Sequence, residues 1–261
     1  MSILFSGDFH ANEIGEIRFI SKDTLLKTYG PKKFGKIKYH IILGDGGFMW
    51  QNNREKDFRN YQALAERPFP VLCVLGNHEP IYGMKDVPET DIGIGETVYQ
   101  INKKPFTAYL KRGKVYTIDG IKFLVLGGAL SIDKAYRIPN RSWWELEYWK
   151  EQEKLDLFKL LETENEFDIV ISHTGPFHIN RMLFRGDSVF NHKSADEVSF
   201  LNEKIHDRIQ FREWLFGHWH KDGYYLDEKT TRRYQYLYET TIILEKIDDT
   251  LVVSRRPSPG T

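Results

Sequence analysis

Five short strand-like stretches, each ending in side chains that bind protons or metals, constrain this chain more than any other feature. Residues 3–6 lead into Gly7-Asp8-Phe9-His10, and residues 39–43 into Gly44-Asp45-Gly46-Gly47. Residues 71–75 lead into Gly76-Asn77-His78-Glu79, residues 168–172 into His173-Thr174-Gly175-Pro176, and residues 212–216 into Gly217-His218-Trp219-His220. A short unbroken apolar run reads as a strand buried on both faces. Strands that alternate with helical stretches predict an α/β fold with a mostly parallel sheet, whose sites form at the strands' carboxyl ends. Gly76 is expected to let the chain turn sharply where its strand stops.

The intervening segments fill in that plan. A helix is expected within residues 12–29, with Ile17, Ile20, Leu25 and Leu26 near its apolar face and Gly30-Pro31 as its stop. A polar helix is expected over residues 54–66, closed by Pro68. Residues 80–105 read as a loop-rich insertion marked by Gly83, Gly93 and Gly95. Asp119-Gly120 joins residues 115–118 and 121–126 as a hairpin, because Asp-Gly suits a type I′ turn. Ser142-Trp143-Trp144-Glu145 and Ser194-Ala195-Asp196-Glu197 read as capping boxes, opening helices that run to about residues 164 and 206. Residues 177–193 read as a long loop, and residues 223–254 as antiparallel strands. Residues 1–254 are expected to form a single domain, with 255–261 as a loose tail.

Composition narrows the partners. The chain has 261 residues, 41% of them hydrophobic and 14% aromatic, enough for a sizeable core. Lys plus Arg and Asp plus Glu stand at 37 each, so no net field favours nucleic acid or an anionic membrane. Nucleic acid remains open only through a local basic patch. The single cysteine, Cys73, rules out an internal disulfide framework and reads as a packing thiol in a reducing compartment. With no signal-like or membrane-spanning apolar stretch, the expected location is the cytoplasm.

In extended chain, residues i and i+2 point to one side, so Asp8 converges with His10 and His218 with His220. The resulting set is two carboxylates, one amide and four imidazoles: Asp8, Asp45, Asn77, His10, His173, His218 and His220. Seven ligands exceed one tetrahedral ion and suit two ions sharing a carboxylate. Nitrogen and oxygen donors without thiolate point to Mn, Fe, Zn, Co or Ni, with Mn2+ first. Two divalent ions against two carboxylates leave about +2, suited to a phosphate dianion. A water shared by metals about 3.5–4 Å apart becomes a hydroxide near neutral pH, aimed in line at phosphorus.

The motif series resembles the calcineurin-like metallophosphoesterase superfamily, in order and spacing, from residue 3 to about residue 220. The resemblance implies two mixed β-sheets packed as a sandwich flanked by helices. It implies that Asp8, His10 and His220 hold one metal, that Asn77, His173 and His218 hold the other, and that Asp45 bridges them. It also implies that His78, just outside the metal shell, contacts the phosphate and is placed to protonate the leaving oxygen, with Asn77 and Asp45 completing the catalytic group. Serine/threonine protein phosphatases of this superfamily carry Gly-Asp-x-x-Asp-Arg-Gly as the second motif, where this chain reads Gly44-Asp45-Gly46-Gly47-Phe48-Met49-Trp50. The acid that would orient His78 and the arginine that would grip phosphate are missing from it, and Ala11 replaces a common glycine. The expected activity is hydrolysis of a phosphodiester or nucleotide-like phosphoester, in a small molecule or nucleotide. The alternatives are a phosphomonoesterase or protein phosphatase, a nuclease, and a metal-binding scaffold without activity.

Other residues have two readings each. Arg137 and Arg141, and likewise Arg181 and Arg185, either clamp a phosphate oxygen or lie on solvated loops. Trp143 and Trp144 either stack on a base or pack a helix's first turn. His40, His178, His192 and His206 fall outside the motifs and read first as structural.

Overall fold

The computed structural model describes residues 2–10, 21–47, 67–79, 87–131, 133–185, 196–248 and 250–257. The apolar runs form two mixed sheets. One has eight strands in the order β14 (Thr250–Pro257), β13 (Thr240–Ile247), β1 (Ser2–Ser6), β2 (Ile37–Ile42), β3 (Val71–Cys73), β6 (Phe106–Leu110), β5 (Val98–Lys103) and β4 (Glu89–Thr90). The other has six, in the order β11 (Gly223–Leu226), β12 (Arg233–Tyr236), β10 (Glu213–Phe216), β9 (Ile169–Ile171), β8 (Ile121–Val125) and β7 (Lys114–Ile118). Strands β1, β2, β3 and β6 run parallel in the first sheet, and β8, β9, β10 and β12 in the second. The hairpin at Asp119-Gly120 forms as expected, with φ of 54° and 71° at the two turn residues.

Side-chain alternation explains why these strands are apolar throughout. Ile3 and Phe5 of β1 join Ile41, Leu72, Phe123, Val125, Ile169 and Ile171 in the core between the sheets. Leu4 points the other way, onto Leu25 and Phe34 of helix Lys22–Phe34. Val170, Trp214 and Phe216 face outward from the second sheet onto helices Glu151–Leu161, Phe177–Leu183 and Glu197–His206. Each such side chain contributes about 1.5–3 kcal/mol over leaving it exposed. Among the described residues no helix is long and apolar enough to cross a membrane.

Several local expectations are corrected. The helix expected from Ser142 begins at Glu151, and the preceding residues form turns. Those turns are pinned: Trp144 donates its indole N–H to the His78 carbonyl at 3.1 Å, and Trp149 to the Gly127 carbonyl at 2.7 Å. Ser142 accepts from the Ile138 N–H instead of capping a helix. The later helix is capped by Asp196, which accepts from the Val198 N–H. Gly30-Pro31 kinks the first helix without ending it, since proline suits the first turn of the piece that continues. The loop expected over 177–193 opens with a helix, and the insertion over 80–105 carries β4 and β5. Strand β12 pairs parallel to β10, so the C-terminal third is not antiparallel throughout. Strand β14 reaches Pro257, into the expected tail. The helix expected at 54–66, Ile17, Ile20, Ala11, His192 and Ser194 lie outside the described residues.

Candidate metal centre

The carboxyl ends of β1, β2 and β3 meet those of β9 and β10 at one end of the sandwich. Backbone geometry there differs from the extended chain assumed for the His-x-His and Asp-x-His pairs. His10, Asp45, His218 and His220 have φ of 43°, 48°, 71° and 50°. Side chains other than glycine rarely adopt this left-handed region, and holding one there costs roughly 1–3 kcal/mol. Asp8 and His10 still converge, because backbone bonds tie the loop to its neighbour: the Phe9 and His10 N–H groups both donate to the Asp45 carbonyl.

Three groups of donors form. Asp8, His10 and His220 make one, His10, Asp45 and His78 a second, and Asp8, Asp45 and His173 a third. Asp45 Oδ2 stands 3.1 Å from His173 Nε2, 3.7 Å from His78 Nε2 and 3.9 Å from His10 Nε2. Asp8 Oδ2 is 3.4 Å from His220 Nε2 and 3.8 Å from His10 Nε2, and the two imidazole nitrogens approach to 2.9 Å. Asn77 joins through Oδ1, 3.0 Å from His173 Nε2. The His218 ring packs edge-on to His173, centroids 5.0 Å apart, and its backbone N–H donates to Asp8. Donors about 2.1 Å from a shared ion stand roughly 3.0–3.4 Å apart across octahedral or tetrahedral angles. The spacings of 2.9–3.4 Å that link Asp45, His173 and Asn77, and Asp8, His220 and His10, match this range, those of 3.7–3.9 Å exceed it, and the nitrogen-and-oxygen donor set suits divalent transition metals.

A second tier of contacts orients these donors. His173 Nδ1 donates to the Leu43 carbonyl at 2.7 Å, which leaves Nε2 to face Asp45 and Asn77. The Asn77 amide nitrogen donates to Ser131 Oγ at 3.0 Å, and Ser131 donates its own hydrogen to Glu147 at 2.6 Å. That order of donation fixes which end of the Asn77 amide faces the site. Glu79 accepts from the N–H of Gly46 and of Gly76, tying the Asp45 loop to the Asn77 loop. Gly76 does not have a left-handed φ, so the expected sharp turn is not its role. A Cβ there would collide with the Asp45 carboxylate and backbone nitrogen. Gly44 combines both constraints, with φ of 90° and the His173 ring against its α-carbon.

Charge is concentrated in this small volume. Burial alone would raise the Asp8 and Asp45 carboxyls, yet the neighbouring imidazoles hold both well below the usual carboxylate range. Burial works against a charged His173, but the Asp45 and Asp8 carboxylates push it up to about 9. Burial and the charge of His173 take His218 down to about 3. Burial, reinforced by Asp45, lifts Glu79 to about 8. One consequence is testable. The carboxylates keep a proton on His173 below about pH 9, and a metal held through its Nε2 would have to displace that proton. Apparent metal affinity should therefore climb about tenfold per pH unit between 7 and 9 and level off above it. Calorimetric titration of metal-free protein with Mn2+ at pH 7 and pH 8 measures this, and equal affinities would exclude a proton on His173.

The other sequence candidates separate clearly. Arg137 reaches the site, with Nη1 2.9 Å from His78 Nδ1, whereas Arg141, Arg181 and Arg185 are exposed. Trp144 is buried against the His78 backbone, and Trp143 donates to Glu147. His40 is buried between Ser6 and Arg67, while His178 pairs with Glu203 and His206 with Tyr234. Ser131, Asp133 and Glu147 act at the site with no motif to mark them. The only sequence signal was that their segment leaves a strand ending in Gly127-Gly128.

The sequence profile of the calcineurin-like phosphoesterase family matches residues 1–222. None of the curated proteins compared with the chain matches it. Among solved structures, GAP50 of Plasmodium, described as the anchor in the inner membrane complex, is similar at 11% identity and a TM-score of 0.54, covering 100% of this chain and 85% of its own. Phosphopantetheinyl hydrolase from Mycobacterium tuberculosis is similar at 11% identity and a TM-score of 0.51, covering 91% and 89%. At these identities the likeness concerns the fold.

Proposed function

The chain belongs to the calcineurin-like phosphoesterase family, and on that premise we propose that it uses two divalent ions to hydrolyse a phosphodiester or nucleotide-like phosphoester. The observation that carries the reading is Asp45, whose one carboxylate oxygen lies within 3.9 Å of His10 and 3.1 Å of His173. Asp8, His10 and His220 hold one ion, Asn77, His173 and His218 the other, and Asp45 serves both. Bound divalent ions supply positive charge to the phosphoryl oxygens and an activated water. The protein's own groups fix where that charge sits: Leu43 orients His173, and Ser131 with Glu147 orients Asn77. His78 contacts the phosphate. The absence of thiolate among the donors supports Mn2+, with Fe, Zn, Ni or Co as alternatives. A buried Cys73 supports a reducing, cytoplasmic setting.

The second motif, without the Asp and Arg of protein phosphatases, supports diesters over phosphoproteins. Turnover of bis-p-nitrophenyl phosphate with Mn2+ should equal or exceed that of p-nitrophenyl phosphate. Activity on phosphoserine peptides with none on any diester would overturn the substrate class. Degradation of DNA or RNA with steep salt dependence would select the nuclease. Metal binding without turnover on any of these would select the scaffold.

A further inference from the structure

The second motif lacks an acid–arginine pair, but the fold delivers one to His78 from elsewhere. After β8 the chain makes a short turn, Lys134–Tyr136, in which the Tyr136 N–H donates to the Asp133 carbonyl and the Arg137 N–H to the Lys134 carbonyl. This turn sets the Asp133 and Arg137 side chains side by side, with Arg137 Nε donating to Asp133 Oδ1 at 2.6 Å. Nη1 donates to the Ser142 carbonyl at 3.0 Å and stands 2.9 Å from His78 Nδ1. His78 is fixed as well. Its backbone N–H donates to Asp45 Oδ1 at 3.0 Å, and its carbonyl accepts from Trp144 at 3.1 Å. The opposite edge of its ring, Nε2, faces the Asp45 carboxylate at 3.7 Å.

A guanidinium has five N–H donors and no acceptor. The His78 Nδ1 beside it must therefore present a lone pair, and a neutral ring carries its hydrogen on Nε2. A histidine that ligates a metal through Nε2 needs the other arrangement, with hydrogen on Nδ1. Arg137 and ligation through Nε2 thus demand opposite tautomers of one ring. That distinction matters because His78 sits in a donor group with His10 and Asp45, and its position alone would suit a ligand.

We propose that Arg137, anchored by Asp133, is a positioning residue that fixes His78 in the Nε2–H tautomer, keeping it out of the metal shell and presenting that N–H to the substrate. The last clause rests on the phosphoesterase reading, and the tautomer does not. Arg137 assumes from a different segment the task of orienting His78, for which the second motif here carries no acid. It acts on substrate through His78.

The test reads the tautomer directly, by two-bond 1H–15N correlation spectroscopy of metal-free protein labelled with 15N-histidine. His78 should show a bare Nδ1 and a protonated Nε2. Arg137→Ala should replace this with a mixture of tautomers, and Arg137→Lys, which keeps a donor, should preserve it. Asp133→Asn, at a partly exposed position, should shift the pattern in the direction of Arg137→Ala and serves if that variant folds poorly. Turnover of Arg137→Ala should fall about 10–100-fold, the range for groups that orient a functional imidazole, with both metal equivalents retained and Arg137→Lys recovering part of the loss. A protonated Nδ1 in the unaltered protein, or a tautomer indifferent to Arg137→Ala, overturns the proposal. No substrate enters the spectroscopic arm. An inactive protein with the Nε2–H pattern would sink the functional reading alone, and an active one with the Nδ1–H pattern would sink the positioning role alone.

Discussion

Asp45→Asn should leave a folded protein that holds fewer than two metal equivalents and turns over phosphoesters at least about 100-fold more slowly. Altering a group that merely orients a metal ligand costs 10–100-fold, and Asp45 faces donors on both sides itself. The amide keeps the shape of the carboxylate and an oxygen that can accept from the His78 N–H, as Asp45 Oδ1 does at 3.0 Å. Its missing charge is what His10, His78 and His173 are gathered around. Metal analysis after chelator-free purification, read beside circular dichroism, separates loss of metal from loss of fold. Two retained equivalents with full activity would show that Asp45 is not shared. In the metal-free variant the His173 proton should also be released at lower pH, because the first charge that raises it is gone.

Gly76→Ala is the smallest substitution expected to dismantle the site. The added methyl would overlap both the Asp45 carboxylate and the Asp45 backbone nitrogen, so backbone has to move. Forced overpacking of this kind costs about 1–3 kcal/mol. The displacement is aimed at the residue proposed to serve both ions. Metal-free Gly76→Ala should therefore be less stable to denaturant by that amount, and the loaded form should lose metal as readily as Asp45→Asn. Retention of two equivalents at full affinity would show that the Asp45 loop yields without consequence.

Much of this was legible in the chain because one local rule was repeated. Residues 3–6, 39–43, 71–75, 168–172 and 212–216 each announce a strand, and each is followed at once by its donors. Order along the chain was enough to gather Asp8, Asp45, Asn77 and the histidines at one end. What sequence could not supply was how the backbone brings them together. The extended-chain argument for His218 and His220 does not hold, since both residues are left-handed and the first packs on His173 while the second joins Asp8 and His10. Ser142 to Glu145 had the residue types of a helix start, but hydrogen bonds from Trp144 and Trp149 to distant carbonyls override local preference. The same long-range pinning carries Ser131, Asp133 and Glu147 to the site. Ser131 meets Asn77 across 54 residues, and Arg137, which Asp133 anchors, meets His78 across 59, separations no spacing rule spans. Arg137 reads in the sequence as a phosphate clamp or a solvated loop residue, and the structure sets it against Asp133, the Ser142 carbonyl and the His78 imidazole.

The pairing of His10 with His220 joins residues 210 positions apart. Loop closure over such a distance yields nothing until the intervening strands are in place, so contacts of this kind form late. A ribosome must have released residue 220 before the first group of donors is complete, by which time β1, β2 and β3 have long been available to pair. The Asp8, His10 and His220 group therefore waits on the second sheet's last motif, whereas His10, Asp45 and His78 come from the segments that follow β1, β2 and β3. Chain order thus leaves the donor groups that contain His173 or His220 to be completed only by contact between the two sheets.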